Sequence, residues 1–215
     1  MNKINAYCIN LDRYPEKYEK TLDNFGDILE IRRFPAIDGR INNIQGTVAL
    51  INTNLMIFNQ ILNSEEINNP FLIIIEDDIY KHTHFDYYWF KILEFINNKN
   101  NNWDFISLDF LLNFEKPKLE IFNDFLYKID KSRMTGFMIY NTIFIKKNIN
   151  YLLNCGTLDM SMKHNSDFIQ LIPKELIVKQ ECNKISETSY IYTNYYEDCY
   201  NDTIQYLQDN INNLY

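Results

Sequence analysis

The chain has 215 residues, 46% of them hydrophobic, which predicts one folded domain with a substantial core and excludes an intrinsically disordered chain. Its formal net charge of −8 disfavours general binding to nucleic acids, because an acidic surface repels phosphate backbones. The four cysteines contain no C-x-x-C pair, so they indicate neither a zinc site nor a disulfide scaffold: Cys8, Cys155, Cys182 and Cys199.

No signal peptide and no apolar run of about 20 residues is present in the sequence. We therefore expect a cytoplasmic protein without a transmembrane segment, with its cysteines reduced. Heavy use of Asn, Ile, Lys and Tyr suggests an AT-rich genome, either that of a bacterium or that of a large DNA virus acting in its host cell.

The first part of the chain alternates strand-like and helical segments. Residues 4–11 predict a strand, and a helix is expected from Pro15, since proline is tolerated in a first helical turn. A second strand is predicted over 28–34. Apolar residues at helical spacing predict a helix over 46–62.

The rest of the chain continues this alternation. We predict strands over 71–75, 104–108 and 176–180, helices over 86–96, 146–153, 160–169 and 202–214, and two extended pieces within 119–140 around 131–133. Strands that alternate with helices favour an α/β fold with a mainly parallel sheet flanked by helices. Ligands of such sheets bind beyond the carboxyl ends of the strands.

The apolar run 71–75 ends abruptly in the acidic triplet Glu76-Asp77-Asp78. Three adjacent carboxylates at the end of a buried strand repel one another unless a cation or hydrogen-bond donors offset their charge. In an extended chain Glu76 and Asp78 point the same way, so they could face one Mn²⁺ or Mg²⁺ ion together. The competing interpretation is a solvated acidic turn after a strand.

Seven further segments accompany the triplet between about residues 4 and 190. In chain order the eight pieces are I-N-L-D-R at 9–13, F-P-A-I-D-G at 34–39, a helix start at Gly46, the run into Glu76-Asp77-Asp78, W-D-F-I-S-L at 103–108, T-G-F at 135–137, L-D at 158–159, and Gln180 followed by Ser186. In this order they resemble motifs of glycosyltransferase family 25, which includes lipopolysaccharide sugar transferases and procollagen galactosyltransferases. The family's S-H pair falls at Thr53-Asn54, which keeps a hydroxyl and lacks the imidazole.

The resemblance implies a GT-A-type, Rossmann-like fold over residues 1–190, with 191–215 as an acidic, aromatic tail and helix. It also implies a nucleotide-sugar donor, usually a UDP-sugar, and a divalent cation, Mn²⁺ or Mg²⁺. The expected reaction is transfer of the sugar, with inversion, to a hydroxyl of a glycan or protein acceptor. A metal ion held by carboxylates stabilises the charge of a departing diphosphate.

The resemblance also assigns residues to the donor site. Glu76 and Asp78 bind the ribose and the metal–diphosphate, and Asp77 contacts the donor from the other side. The remaining predicted neighbours of the nucleotide are Asn10, Leu11, Arg13 and Asp38. For Arg13 the competing interpretation is a surface ion pair with Asp12 or Glu16.

Inversion requires a base that takes the proton of the acceptor hydroxyl. The first candidate is Asp159, which could equally cap the helix predicted over 160–169. Asp109 and Asp167 are further candidates, and Asp104 is expected to be structural. The histidines could complete a metal site or be ordinary surface or packing residues: His82, His84 and His164.

Two other classes of function remain open. The chain could keep the fold and act as a non-catalytic nucleotide- or glycan-binding module, an alternative motivated by Thr53-Asn54. It could also be a metal-dependent phosphoryl or nucleotidyl transferase. The sequence disfavours the second alternative because it contains no G-x-x-x-x-G-K-[ST] phosphate loop.

Overall fold

The computed structural model describes residues 3–112, 116–154, 165, 167–181 and 194–212. The strands are β1 Ile4–Asn10, β2 Leu29–Pro35, β3 Phe71–Glu76, β4 Ile79–Lys81, β5 Phe105–Ser107, β6 Leu119–Ile121, β7 Leu126–Ile129, β8 Phe137–Asn141, β9 Gln170–Pro173 and β10 Val178–Gln180. The helices are α1 Pro15–Phe25, α2 Gly46–Leu62, α3 Phe85–Asn97, α4 Thr142–Asn154 and α5 Asn194–Asn212, with a short 3-10 helix at Glu65–Asn68.

Eight strands form one sheet in the order β2-β1-β3-β8-β5-β9-β7-β6, and β4 pairs with β10 in a separate ribbon. Strands β2, β1 and β3 are parallel, as are β5 and β9, whereas β8 is antiparallel to both β3 and β5. Strand β7 is antiparallel to β9 and β6. The predicted α/β class is therefore confirmed, but the sheet is mixed. The chain enters β8 at the edge where β3 ends, since Phe137 pairs with Ile75, so β8 must run backwards.

Side chains of the central strands alternate between two apolar layers. Ala6 and Cys8 of β1 pack in a cluster with residues of α1 and α3, whereas Tyr7 and Ile9 pack with residues of α2 and α4. Strand β3 divides in the same way, which explains why its apolar run is unbroken: a strand covered on both faces has no solvent side. The prediction of helices that flank the sheet is confirmed.

Helix α5 packs in a third apolar cluster, which also contains residues of β7 and β9. Its buried residues Cys199, Tyr200 and Leu207 lie in one cluster with the segment 110–112, which follows β5. The sequence predicted this helix over 202–214, and in the structure it begins at Asn194. Within the described residues, no helix is both long and apolar enough to cross a membrane.

Most predicted elements of the first hundred residues are present with similar bounds. The exceptions lie further along the chain. The region 119–140 contains the β6–β7 hairpin as well as the start of β8, where only two extended pieces were predicted. Of the helix predicted over 160–169, the described residues 165 and 167–169 are not helical, and the strand β9 that follows was missed. Short apolar stretches such as Q-L-I-P do not distinguish a strand from the end of a helix.

Helix α2 offers a direct test of which helical face is buried. Ile57 is fully buried and the adjacent Met56 is 49% exposed. We expect Ile57→Ala to lower the free energy of unfolding by about 2–5 kcal/mol, because it leaves a cavity in the core, and Met56→Ala to change it by less than about 0.5 kcal/mol. Urea denaturation of the two variants measures both values. Equal losses for the two variants would show that the orientation of α2 is wrong.

Candidate active site at the carboxyl edge of the sheet

Five segments of the chain meet at one edge of the sheet. Because β1, β2 and β3 are parallel, Asn10, the loop that carries Asp38, and Glu76 all lie where these strands end. Strand β8 begins at this edge after Gly136, and β5 ends there just before Asp109. The acidic triplet therefore lies at the carboxyl ends of strands, the position predicted from the sequence.

Glu76 is the last residue of β3 and is half-buried. One oxygen, Oε1, accepts a hydrogen bond from Thr135 Oγ1 at 2.8 Å, and the Glu76 N–H donates to the carbonyl of Gly136 at 2.8 Å. Burial, followed by the negative charge of Asp78, raises the pKa of Glu76 from its ordinary value of 4.5 to about 8. The described residues therefore do not fully stabilise the ionised form of Glu76.

Asp78 lies in the turn between β3 and β4 and is also half-buried. Its Oδ1 atom is buried and has no hydrogen-bond partner among the described residues. Burial and the neighbouring Asp77 raise the pKa of Asp78 to about 6, and Lys17 opposes this effect. A buried carboxylate oxygen without a partner is costly, so a bound cation would stabilise it.

Asp77 faces different neighbours. Its Oδ2 atom accepts a hydrogen bond from Asn10 Nδ2 at 2.6 Å, and Oδ1 lies 3.8 Å from Lys17 Nζ. Burial raises the pKa of Asp77, whereas Lys17 and Asn10 lower it. Glu76 therefore contacts the segment that leads into β8, whereas Asp77 contacts β1 and α1. Lys17 was not singled out from the sequence, although its place in the first turns after β1 puts it at this edge.

The amide of Asn10 is fully buried and its polar atoms are occupied within the protein. Its nitrogen donates to the carbonyl of Tyr14 at 2.9 Å as well as to Asp77, and its oxygen accepts a hydrogen bond from Arg33 Nε at 2.6 Å. Arg33 also donates to Asp12 at 2.5 Å. Asn10 therefore acts on the site by holding Asp77 in place.

Arg13 and Asp38 form an ion pair between the loops that follow β1 and β2. Asp38 Oδ1 also accepts the backbone N–H of Arg40 at 2.9 Å, which fixes the turn that carries it. Leu11 is half-buried directly after β1, and its carbonyl accepts the N–H of Tyr14 at 3.0 Å. Three of the predicted neighbours of the nucleotide, Leu11, Arg13 and Asp38, thus belong to two loops that are held against each other.

Thr53 and Asn54, which occupy the position of the family's S-H pair, are both buried within α2. Thr53 Oγ1 accepts the N–H of Ile37 at 3.0 Å and donates to the carbonyl of Ala49 at 2.8 Å. Asn54 Nδ2 donates to the carbonyl of Leu50 at 3.0 Å. The hydroxyl therefore ties α2 to the loop before Asp38, and the amide is bonded within its own helix.

Asp109 is fully buried beside the triplet, with its Oδ1 atom accepting a hydrogen bond from Tyr200 Oη at 2.7 Å. Its other oxygen packs on Gly136: a Cβ atom at that position would lie 2.4 Å from Asp109 Oδ2 and 2.8 Å from Ile79 Cγ2. Only glycine leaves room for this approach. The sequence proposed Asp109 as a possible base, but it gave no sign of the contact with Tyr200.

The first candidate base, Asp159, lies outside the described residues. Asp167 is exposed. Asp104 accepts the backbone N–H of Ile169 at 2.7 Å and so has the structural role expected of it.

Two histidines near the triplet in sequence have other neighbours. His82 Nδ1 lies 3.2 Å from the carbonyl of Leu176, and His84 Nδ1 lies 2.6 Å from Glu175 Oε2 at an exposed position. His164 lies outside the described residues. Neither described histidine is shown to join Glu76 or Asp78.

The described residues do not contain three His, Cys, Asp or Glu side chains grouped to hold a metal ion by themselves. Glu76 and Asp78 nevertheless fit a site that needs further ligands. Their charges repel each other, and one oxygen of Asp78 has no partner among the described residues. Mg²⁺ commonly takes one or two carboxylates, with water and substrate phosphates as its other ligands. The donor set suits Mn²⁺ equally, because both are oxygen-binding ions.

No family model matches the chain, and no curated protein sequence matches it. Among solved structures it is similar to A197 from STIV, with 9% sequence identity and a TM-score of 0.44 over 80% of this chain and 81% of that chain.

The raised pKa values predict how stability changes with pH in the metal-free protein. Between the ordinary and raised pKa of Glu76 the folded state keeps a proton that the unfolded chain releases, so the free energy of unfolding falls as pH rises from 4.5 toward about 8. The slope reaches about 1.4 kcal/mol per pH unit for each such proton. Urea denaturation in a chelator at several pH values measures it.

Glu76→Gln removes the group and should flatten this pH dependence, whereas Glu94→Gln, at an exposed position on α3, should leave it as in the wild type. Parallel pH profiles for the wild type and Glu76→Gln would contradict the assignment of the proton to Glu76.

Proposed function

We propose that the protein is a metal-dependent, inverting glycosyltransferase of the GT-A type. It moves a sugar from a nucleotide-sugar donor, a UDP-sugar, to a hydroxyl of a glycan or protein acceptor. The observation that carries the proposal is the pair Glu76 and Asp78 at the end of β3, with raised pKa values and a buried oxygen that lacks a partner among the described residues. The ordered resemblance to glycosyltransferase family 25 supplies the reaction class.

In this proposal Glu76 and Asp78 would hold Mn²⁺ or Mg²⁺, and the bound ion would supply positive charge that stabilises the departing diphosphate. The two carboxylates must be ionised to bind the ion. Burial, followed by repulsion from neighbouring carboxylates, raises the pKa of both groups, and a bound ion would offset both effects. Asp77 stays in its contacts with Asn10 and Lys17 and lines the donor side of the edge.

The loops after β1 and β2 form the nucleotide side of the site. Leu11 and the ion pair of Arg13 and Asp38 flank the edge where the triplet lies. A guanidinium group makes strong, charge-assisted contacts with phosphate oxygens, so Arg13 would add to the field that favours the diphosphate. Its pairing with Asp38 fixes where that charge can lie.

Transfer with inversion is a single displacement. The acceptor oxygen bonds to the anomeric carbon from the face opposite the diphosphate, the bond from that carbon to the diphosphate oxygen breaks, and the acceptor proton passes to a base. We propose Asp159 as the base on the strength of the family resemblance. The domain bounds, with the donor-binding domain over residues 1–190, are part of the same proposal.

Asp78→Asn tests the metal role without a change in side-chain volume. We expect sugar transfer to fall by at least about 100-fold, because ions of this kind contribute several kcal/mol to stabilising the transition state. Asp23→Asn, at an exposed position of α1, is the matched control and should keep wild-type activity. The donor is found first by thermal shift with Mn²⁺ across UDP-sugars, since a bound donor stabilises the folded state. Undiminished transfer by folded Asp78→Asn would refute the role.

A second candidate function is a non-catalytic nucleotide- or glycan-binding module. Asn54 favours this function: it occupies the position of the family's histidine, and its side chain is buried and donates to the carbonyl of Leu50.

Calorimetry with UDP and Mn²⁺, run beside a turnover assay on the donor panel, separates the two functions. The glycosyltransferase predicts metal-dependent binding of UDP together with turnover of at least one donor. Binding without turnover of any donor would support the module.

A further inference from the structure

Helix α5 reaches the candidate site from the far end of the chain through one side chain. Tyr200 is fully buried, and its hydroxyl donates to Asp109 Oδ1 at 2.7 Å while it accepts the backbone N–H of Gln180 at 3.0 Å. One turn further along, Thr203 Oγ1 accepts the N–H of Leu112 at 3.1 Å. Two adjacent turns of α5 therefore hold the segment that follows β5.

On one side of Tyr200 lies the environment of Glu76. The carboxylate of Asp109 packs directly on Gly136, whose carbonyl accepts the Glu76 N–H at 2.8 Å. The charge of Asp109 also contributes to the raised pKa of Glu76, which places the two carboxyl groups in each other's field. Any displacement of Asp109 would therefore change both the packing and the charge beside Glu76.

On the other side of Tyr200 lies the environment of Asp78. Gln180, which donates to Tyr200, is the last residue of β10, and the next residue, Glu181, donates its N–H to the Asp78 carbonyl at 2.6 Å. Strand β10 pairs with β4, which begins directly after Asp78. The Tyr200 hydroxyl thus joins two segments, one of which packs on the residue that binds the backbone of Glu76, while the other binds the backbone of Asp78.

We propose that Tyr200 is a positioning residue of the metal site: by binding Asp109 and Gln180 at once, it sets the placement of Glu76 and Asp78 relative to each other. The assignment rests on the proposed metal-binding function. It makes α5 part of the site, although the helix is remote from the triplet in sequence. Removal of a group that orients metal ligands without binding the metal itself commonly weakens metal affinity by about 10- to 100-fold.

The test compares Tyr200→Phe with Tyr206→Phe. Each removes one hydroxyl from α5, but Tyr206 donates to the carbonyl of Pro117, away from the triplet. The dissociation constant for Mn²⁺ is measured from the paramagnetic resonance signal of free Mn²⁺ at one fixed pH, and the melting temperature is measured alongside. We expect Tyr200→Phe to lower the melting temperature more than Tyr206→Phe, because its hydroxyl is fully buried and donates to a buried carboxylate. At a temperature where both variants are folded, only Tyr200→Phe should weaken Mn²⁺ binding, by about tenfold or more.

Asp109→Asn provides a second arm that does not depend on how well Tyr200→Phe folds. Its amide oxygen can still accept from Tyr200, but its charge is gone, so we expect a comparable loss of Mn²⁺ affinity. Adding Tyr200→Phe to Asp109→Asn should lower the affinity by about the same further factor as in the wild type, because the amide oxygen still makes the contact that Tyr200→Phe removes. An unchanged Mn²⁺ affinity in Asp109→Asn would overturn the proposal that Tyr200 acts on Glu76 through Asp109.

The outcomes also separate this proposal from the proposed function. A wild-type protein that binds Mn²⁺ neither alone nor in the presence of UDP overturns both. A wild-type protein that binds Mn²⁺, with the two Tyr→Phe variants equal in affinity, overturns the role of Tyr200 alone.

Discussion

The burial of three adjacent carboxylates, together with the repulsion between neighbouring charges, is the constraint around which the carboxyl edge of the sheet is arranged. The charge of Asp77 is offset by the amide of Asn10 and the ammonium of Lys17. Glu76 accepts a hydrogen bond from the hydroxyl of Thr135. One oxygen of Asp78 has no partner among the described residues. Leaving two such groups half-buried is costly unless something offsets their charge. A divalent cation completed by substrate phosphates is the simplest ligand that would do so.

The topology of the sheet makes this arrangement possible. Parallel pairing of β1, β2 and β3 brings three strand ends to one edge, and the reversed strand β8 adds the segment before Phe137 to the same edge. Gly136 has no side chain, so the carboxylate of Asp109 packs directly against it. Tyr200 of helix α5 donates a hydrogen bond to the same carboxylate. The site is thus assembled from both ends of the chain, although its acidic centre is a single tripeptide.

Local patterns in the sequence predict the parts of this architecture that depend on neighbouring residues. The abrupt change from apolar run to carboxylates places Glu76 at a strand end, and helical spacing gives the bounds of α2. Contacts over long separations are not encoded locally: Asn10 meets Asp77 across 67 positions, and Asp109 meets Tyr200 across 91. Strand β9 was missed for a related reason, since its short segment is identified only by its pairing with β5 and β7.

The most direct test of the central claim is a crystal structure with Mn²⁺ and UDP, with diffraction recorded at the manganese absorption edge. The account predicts an anomalous peak at coordination distance from both Glu76 and Asp78, with phosphate oxygens of UDP as further ligands. A crystal that contains bound UDP but shows no manganese peak between these two carboxylates, or shows it elsewhere, would contradict the account.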